Sequence, residues 1–194
     1  MYIPLLNQSN YTLLSSLLKI DDIVFYAKEK KLPAIAIADR NMFGTMEFYN
    51  KCQKENIKPI IGLQIEIENK RIVLYAKDYK GYKCLVKLST IQHEREITEK
   101  DLKDYNKNVI VIIPFQSKEL WDLLGTIYMD LYLGYSNPEE EIESRIITNN
   151  IVFFQENLYL NDKEQTFLPY LFCIRDGKTI LEKENYDIKN HELN

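Results

Sequence analysis

Asp39 is the acidic residue best placed to do chemistry in this sequence. It follows Ala34-Ile35-Ala36-Ile37, a continuous apolar run typical of a strand buried on both faces of a parallel sheet. The turn Ala38-Asp39-Arg40-Asn41 sets it just past the end of that strand, where α/β folds usually seat their active groups. The other candidates have plainer explanations. Asp21-Asp22 and Glu139-Glu140-Glu141 resemble paired carboxylates, but each stands where a helix begins and complements its dipole. Ser15-Ser16 has no histidine nearby to serve as a base. Gly44 and Gly62 do not form a phosphate-cradling pattern. His93, at a helix end among Glu94, Arg95 and Glu96, and His191, in the tail, read as solvated side chains. Cys52, Cys84 and Cys173 are odd in number and unpatterned, which fits reduced thiols in a cytoplasm and neither a disulfide framework nor a thiolate zinc site.

The elements that must position Asp39 alternate along the chain. Tyr2–Leu6 predicts a short first strand. Asp21-Asp22 open an amphipathic helix that ends at Leu32-Pro33, because proline disfavours the helical conformation in the residue before it. Leu32 to Leu63 reads as one β-α-β unit, with a helix over Met42–Glu55 and a returning strand from Pro59. Leu63 to Glu68 alternates as a half-exposed strand does, and Asn69-Lys70 predicts a hairpin turn into Arg71–Ala76. Asp78–Thr90 reads as a helix, and Thr98 with Asp101 has capping-box spacing before a short helix. Val109–Pro114, Tyr128–Tyr135 and Ile151–Phe154 predict strands. Between them lie a helix capped by Ser117 and one opened by Asn137-Pro138. Asp162–Ile174 predicts a last helix, stopped by Asp176-Gly177. Such alternation forms a (β/α) barrel or an open doubly wound sheet.

Composition bounds the function. The 194 residues suit one domain with a real core. The net charge of −4 and the scatter of 25 basic residues give no basic face for gripping DNA; even Lys28, Lys30 and Lys31 are interrupted by Glu29. Without such a groove, the 14 tyrosines read as half-buried packing and not as a base-stacking platform. The longest apolar runs are too short to cross a membrane, and the amino terminus lacks a basic n-region, so a cytoplasmic protein is expected. The wealth of Lys, Asn, Ile and Tyr suggests codon bias from an AT-rich genome.

Several segments together carry a resemblance. Pro33-Ala34-Ile35-Ala36-Ile37-Ala38-Asp39, Asn41-Met42-Phe43-Gly44, Glu47-Phe48-Tyr49 and Ile57-Lys58-Pro59-Ile60-Ile61-Gly62 resemble the PHP (polymerase and histidinol phosphatase) domain, in the version that opens bacterial DNA polymerase III α subunits. Tyr11–Ser15, Asp78–Ser89 and Leu171–Lys178 resemble further family segments in the same order. The resemblance implies a distorted (β/α)7 barrel in a single domain over residues 1–180, with 181–194 a linker or truncated edge leading to an absent polymerase core.

The resemblance also implies where metal ligands would stand. The family's paired histidines fall on Leu6 and Gln8, its Asp-His motif on Asp39-Arg40, the acid after the returning strand on Gln64, and its late Asp-x-His motif on Glu156 and Leu158. Only Asp39 and Glu156 keep a carboxylate, and no histidine is matched. A guanidinium at Arg40 would repel a cation, so Asp39, Arg40 and Glu156 are expected to pair by charge. The implied reading is a metal-free, catalytically silent domain, with no cofactor and little or no DNA contact. It would support the polymerase core of the same polypeptide or dock a partner such as a proofreading exonuclease. The alternative is a reduced phosphoesterase or 3′-5′ exonuclease using carboxylates around Asp39 and Mg²⁺ or Mn²⁺.

Overall fold

The computed structural model describes residues 2–181, Tyr186, Ile188 and 191–193. In chain order the elements are β1 (Leu6–Asn7), α1 (Ile20–Glu29), β2 (Ala34–Asp39), α2 (Thr45–Lys54), β3 (Lys58–Ile67), β4 (Lys70–Ala76), α3 (Tyr79–Glu94) and α4 (Glu99–Asp104). Next come β5 (Val109–Pro114), a 3₁₀ turn over Phe115–Leu120, α5 (Trp121–Gly125), β6 (Leu131–Tyr135) and α6 (Pro138–Ile147). The chain closes with β7 (Ile151–Phe153), β8 (Glu156–Asn157), α7 (Asp162–Gln165) and α8 (Leu168–Arg175). They fall into two compact units. The first holds residues 1–39, 43–59 and 155–194, and the second holds 40–42 and 60–154.

In the first unit, α1 and α2 pack on β2. Every residue of β2 is buried, as its unbroken apolar run requires. Ile23, Val24 and Ala27 of α1 and Phe48 and Cys52 of α2 close over Ile35 and Ile37 in one cluster. The Lys58 N–H reaches the Pro33 carbonyl at 2.9 Å, which sets the start of β3 beside β2. β1 pairs in parallel with β8, Leu6 opposite Glu156 and Asn7 opposite Asn157. Leu193, in the stretch expected to be a linker, is buried in the same cluster as α1 and α2; residues 182–185, 187, 189, 190 and 194 lie outside the described residues.

In the second unit the strand order is β3-β4-β5-β6-β7. β3–β4 and β4–β5 are antiparallel; β5–β6 and β6–β7 are parallel. Leu63, Ile65 and Ile67 on β3 face a core built with Ile72, Leu74, Leu85, Leu88, Val111 and Leu133. Gly81, in the first turn of α3, lets that helix touch the chain before β5, since an added Cβ would lie 2.1 Å from the Asn108 carbonyl oxygen. Asp78 caps α3, and Thr98 with Asp101 forms the expected capping box of α4.

Several expected boundaries move. β1 has two residues in place of a strand over Tyr2–Leu6; Pro4 has no N–H to offer a ladder, and its carbonyl is taken by the Asn7 side chain at 3.1 Å. Residues 42–44 form a turn, so α2 starts at Thr45. The hairpin turns on Glu68 and Asn69, both at positive φ, one residue earlier than expected. Ser117 is buried within the 3₁₀ turn and does not cap α5. Tyr128 belongs to the close of α5, its N–H bonded to the Leu124 carbonyl, so β6 begins at Leu131. The last helix is split, because Pro169 has no N–H to extend an earlier helix and sits in the first turn of α8.

Candidate functional site

In the first unit, β1, β2 and β8 bring together five of the positions singled out in the sequence: Leu6, Gln8, Asp39, Glu156 and Leu158. Asp39 ends β2 and is 3% exposed. Its carboxylate is met by hydroxyl and amide donors from the turn after β1. The Ser9 N–H donates to one oxygen at 2.6 Å and the Ser9 hydroxyl to the other at 2.6 Å, while Thr12 adds a hydroxyl bond at 3.0 Å. Burial pushes the Asp39 carboxyl up to about 6, and the bonds from Ser9 and Thr12 work against that rise by favouring the charged form.

The neighbouring strands are joined by amides. Asn7 donates to the Ala36 carbonyl at 2.8 Å, and Asn157 donates to the Asn7 side-chain oxygen at 2.7 Å; both asparagines are buried. Leu6 and Leu158 are buried apolar groups, and the Gln8 carbonyl accepts the Ser16 hydroxyl. Glu156 is partly buried with its carboxylate 3.8 Å from His191 Nδ1, and the Leu158 N–H bonds the His191 carbonyl. His191 is thus packed against β8, although its place in the tail had suggested a solvated ring.

The second unit contains Arg40 and Gln64, in a cleft of about 320 Å³. Gln64 breaks the alternation of β3 by being polar and 1% exposed, and its amide oxygen accepts from Arg71 at 3.3 Å. Glu66 stands across the ladder from Arg71 and 3.4 Å from the Arg40 guanidinium. Gln92 donates to the Arg40 carbonyl at 2.6 Å. His93 also lines the cleft; its Nδ1 is 2.7 Å from the Ser89 carbonyl, which can only accept, so that nitrogen carries the proton. Arg95 closes a two-pronged pair on Asp101 at 2.7 Å for each prong, which holds the Asp101 carboxyl well below the usual range. The cleft therefore alternates guanidinium and carboxylate groups. Its positive members disfavour a cation.

The three charges expected to pair thus have these neighbours: donors from Ser9 and Thr12 around Asp39, Glu66 beside Arg40, and His191 beside Glu156. Ser9, Thr12, Asn7 and Asn157 escaped sequence reasoning because hydroxyl and amide residues in a turn read as loop formers. The burial of Gln64 escaped as well, because in the alternation of β3 it shares the face of Glu66 and reads as a solvated side chain. Among the described residues, no three His, Cys, Asp or Glu side chains come together as metal ligands. Asp39 is met by a backbone N–H and two hydroxyls, without the imidazoles and further carboxylates from which the family's metal cluster is built; these residues do not fit the metal cluster that the resemblance implied.

An α/β scaffold with its acidic group at the end of β2 defines the class, and the chain belongs to the PHP domain family, whose model matches residues 5–162. It is 42% identical over 199 residues to the DNA polymerase III subunit alpha of Ureaplasma parvum serovar 3, covering all of this chain and 19% of that relative. The subunit of the same name from Mycoplasma genitalium is 38% identical over 183 residues, covering 92% of this chain and 20% of the relative. The chain thus spans about a fifth of the length of these curated relatives. A solved structure from Bifidobacterium adolescentis, assigned as a metal-dependent phosphoesterase, matches with a TM-score of 0.56 at 10% identity, covering 79% of this chain and 86% of that one. That likeness shows the PHP-type α/β fold that the sequence implied.

Proposed function

We propose that this chain is the metal-free, catalytically silent PHP domain of a bacterial replicative DNA polymerase III α subunit. Its role would be structural, in the cytoplasm: it supports the polymerase core of the same polypeptide or docks a partner such as a proofreading exonuclease. The observation that carries the reading is the state of Asp39. The one buried carboxylate at the matched motif is engaged by Ser9 and Thr12, and the position after it is a guanidinium. Hydrogen bonds stabilise a buried carboxylate that would otherwise cost several kcal/mol to desolvate. The likeness to polymerase α subunits over the whole chain supports the replicative setting. The scatter of the basic residues along the sequence, with no basic face, supports weak or no DNA contact.

Metal analysis of the purified chain tests the proposal. The expected result is no stoichiometric Zn, Mn, Fe or Mg after gel filtration. Two or more tightly held ions per chain would overturn it, as would phosphoester hydrolysis that Asp39→Ala abolishes.

A further inference from the structure

α3 gathers lysines and tyrosines on its solvent side. Gly81, Leu85 and Leu88 turn inward, and the helix packs on β4. On the opposite side Lys80, Lys83 and Lys87 stand at i, i+3 and i+7, one outward row of exposed ammonium groups. None of the three has an ion pair among the described residues. The acids that flank the start of the helix are engaged elsewhere. Asp78 accepts from the Lys80 and Gly81 N–H groups at 2.8 and 2.9 Å and from the Asn108 side chain at 2.6 Å, and Asp130 pairs with Lys77. Lys80 acts on Asp78 through space without bonding it. α3 itself holds no acid before Glu94. Lys83 and Lys87 are like charges one turn apart, an arrangement that is unfavourable alone and is relieved by an incoming anion. Beside the row, Tyr79 is 72% exposed and stacks on Tyr82, with ring centres 6.1 Å apart and 24° between the planes. The Lys83 ammonium lies 5.2 Å from the centre of the Tyr79 ring.

The chemistry of the row says what fits it. Regularly spaced cations beside an open aromatic ring complement a strand that carries repeated anions and unpaired flat bases. A duplex hides its base faces and offers the tyrosine nothing. An acidic protein segment fits less well, because lysine is depleted in protein interfaces and no large aliphatic residue of α3 before Ile174 of α8 is exposed to anchor one. We propose that the outward face of α3 binds single-stranded nucleic acid, with phosphates on Lys80, Lys83 and Lys87 and one base stacked on Tyr79. Three phosphates are few, so the contact is weak, as suits a chain of net charge −4. The row belongs to the second unit, outside the Asp39 site, and does not depend on whether that site holds a metal.

The test uses the full chain and a fluorescein-labelled oligothymidylate of about 16 nucleotides, read by anisotropy from low salt upward. Saturable binding is expected, with log K falling against log salt at a slope of about −2 for three phosphates. Lys80→Gln/Lys83→Gln/Lys87→Gln should weaken binding and flatten that slope. Tyr79→Ala should weaken it about tenfold with the slope unchanged, and Tyr79→Phe, which keeps the ring, should restore it. An abasic strand of the same length should bind the parent chain as weakly as oligothymidylate binds Tyr79→Ala. All four positions are on the surface, and unchanged circular-dichroism melts would show that the fold survives. Several results would overturn the proposal: no saturable binding at low salt, binding that the lysine or the Tyr79→Ala variant leaves untouched, duplex bound as tightly as single strand, or a polyglutamate peptide of equal charge that competes as well as the oligonucleotide.

Discussion

The Ser9 hydroxyl and the Asp39 carboxylate meet at 2.6 Å in the buried end of β2. This contact ties the turn after β1 to the end of β2.

Removing the carboxylate orphans its donors. Asp39→Ala leaves the Ser9 N–H and the Ser9 and Thr12 hydroxyls without their acceptor in a buried site. Each buried unsatisfied group costs about 1–3 kcal/mol, so the variant should lose at least that much in urea unfolding. A melt unchanged from the parent chain would show that the turn after β1 stands without Asp39.

Two acids should give opposite pH responses. The folded Asp39 carboxyl lies above its ordinary value, so the folded state binds more protons than the unfolded state between 3.8 and about 6. Stability therefore falls as pH rises through that window. Asp101 is depressed by Arg95, so its contribution is present above 3.8 and is lost as pH falls below it. Asp39→Asn should flatten the first response and Asp101→Asn the second, read as melting temperature against pH.

Gly81→Ala should be among the most damaging small substitutions. The new Cβ would lie 2.1 Å from a backbone oxygen that belongs to a fixed turn. Overpacking of this kind costs about 1–3 kcal/mol, and Gly125→Ala, with open space around it, serves as the comparison.

The thiols should separate by burial. Burial pushes Cys52 up to about 12, and it lies wholly inside the α1–α2 cluster. Cys84 is half-buried on α3. Labelling with a disulfide reagent at neutral pH should modify Cys84 first and reach Cys52 only on unfolding. Rapid reaction at Cys52 would mean that the first unit opens readily.

The scaffold was legible because its signals are local. The unbroken run Ala34–Ile37 gave β2 and put Asp39 at its end, and the alternation from Leu63 gave the inner face of β3. Asn137-Pro138 and Thr98 with Asp101 announced helix starts through side chains that bond their own neighbours. The site was less legible because its contacts are not local. Nothing near Asp39 in sequence marks Ser9 or Thr12 as its donors, 30 and 27 residues away. Spacing likewise placed His93 on a helix but could not say that its face lines the Arg40 cleft.

The parallel pairing of β1 with β8 carries a consequence for biosynthesis. Asn7 is bonded to Asn157, 150 positions further along, so this strand has no neighbour on that side until the ribosome has released β8. Bringing such distant segments together is entropically slow. The turn behind β1 can bond Asp39 as soon as β2 is made, but the β8 side of β1 stays open while β3 to β7 follow. Chaperone capture during translation should therefore centre on the first residues and end when Asn157 emerges.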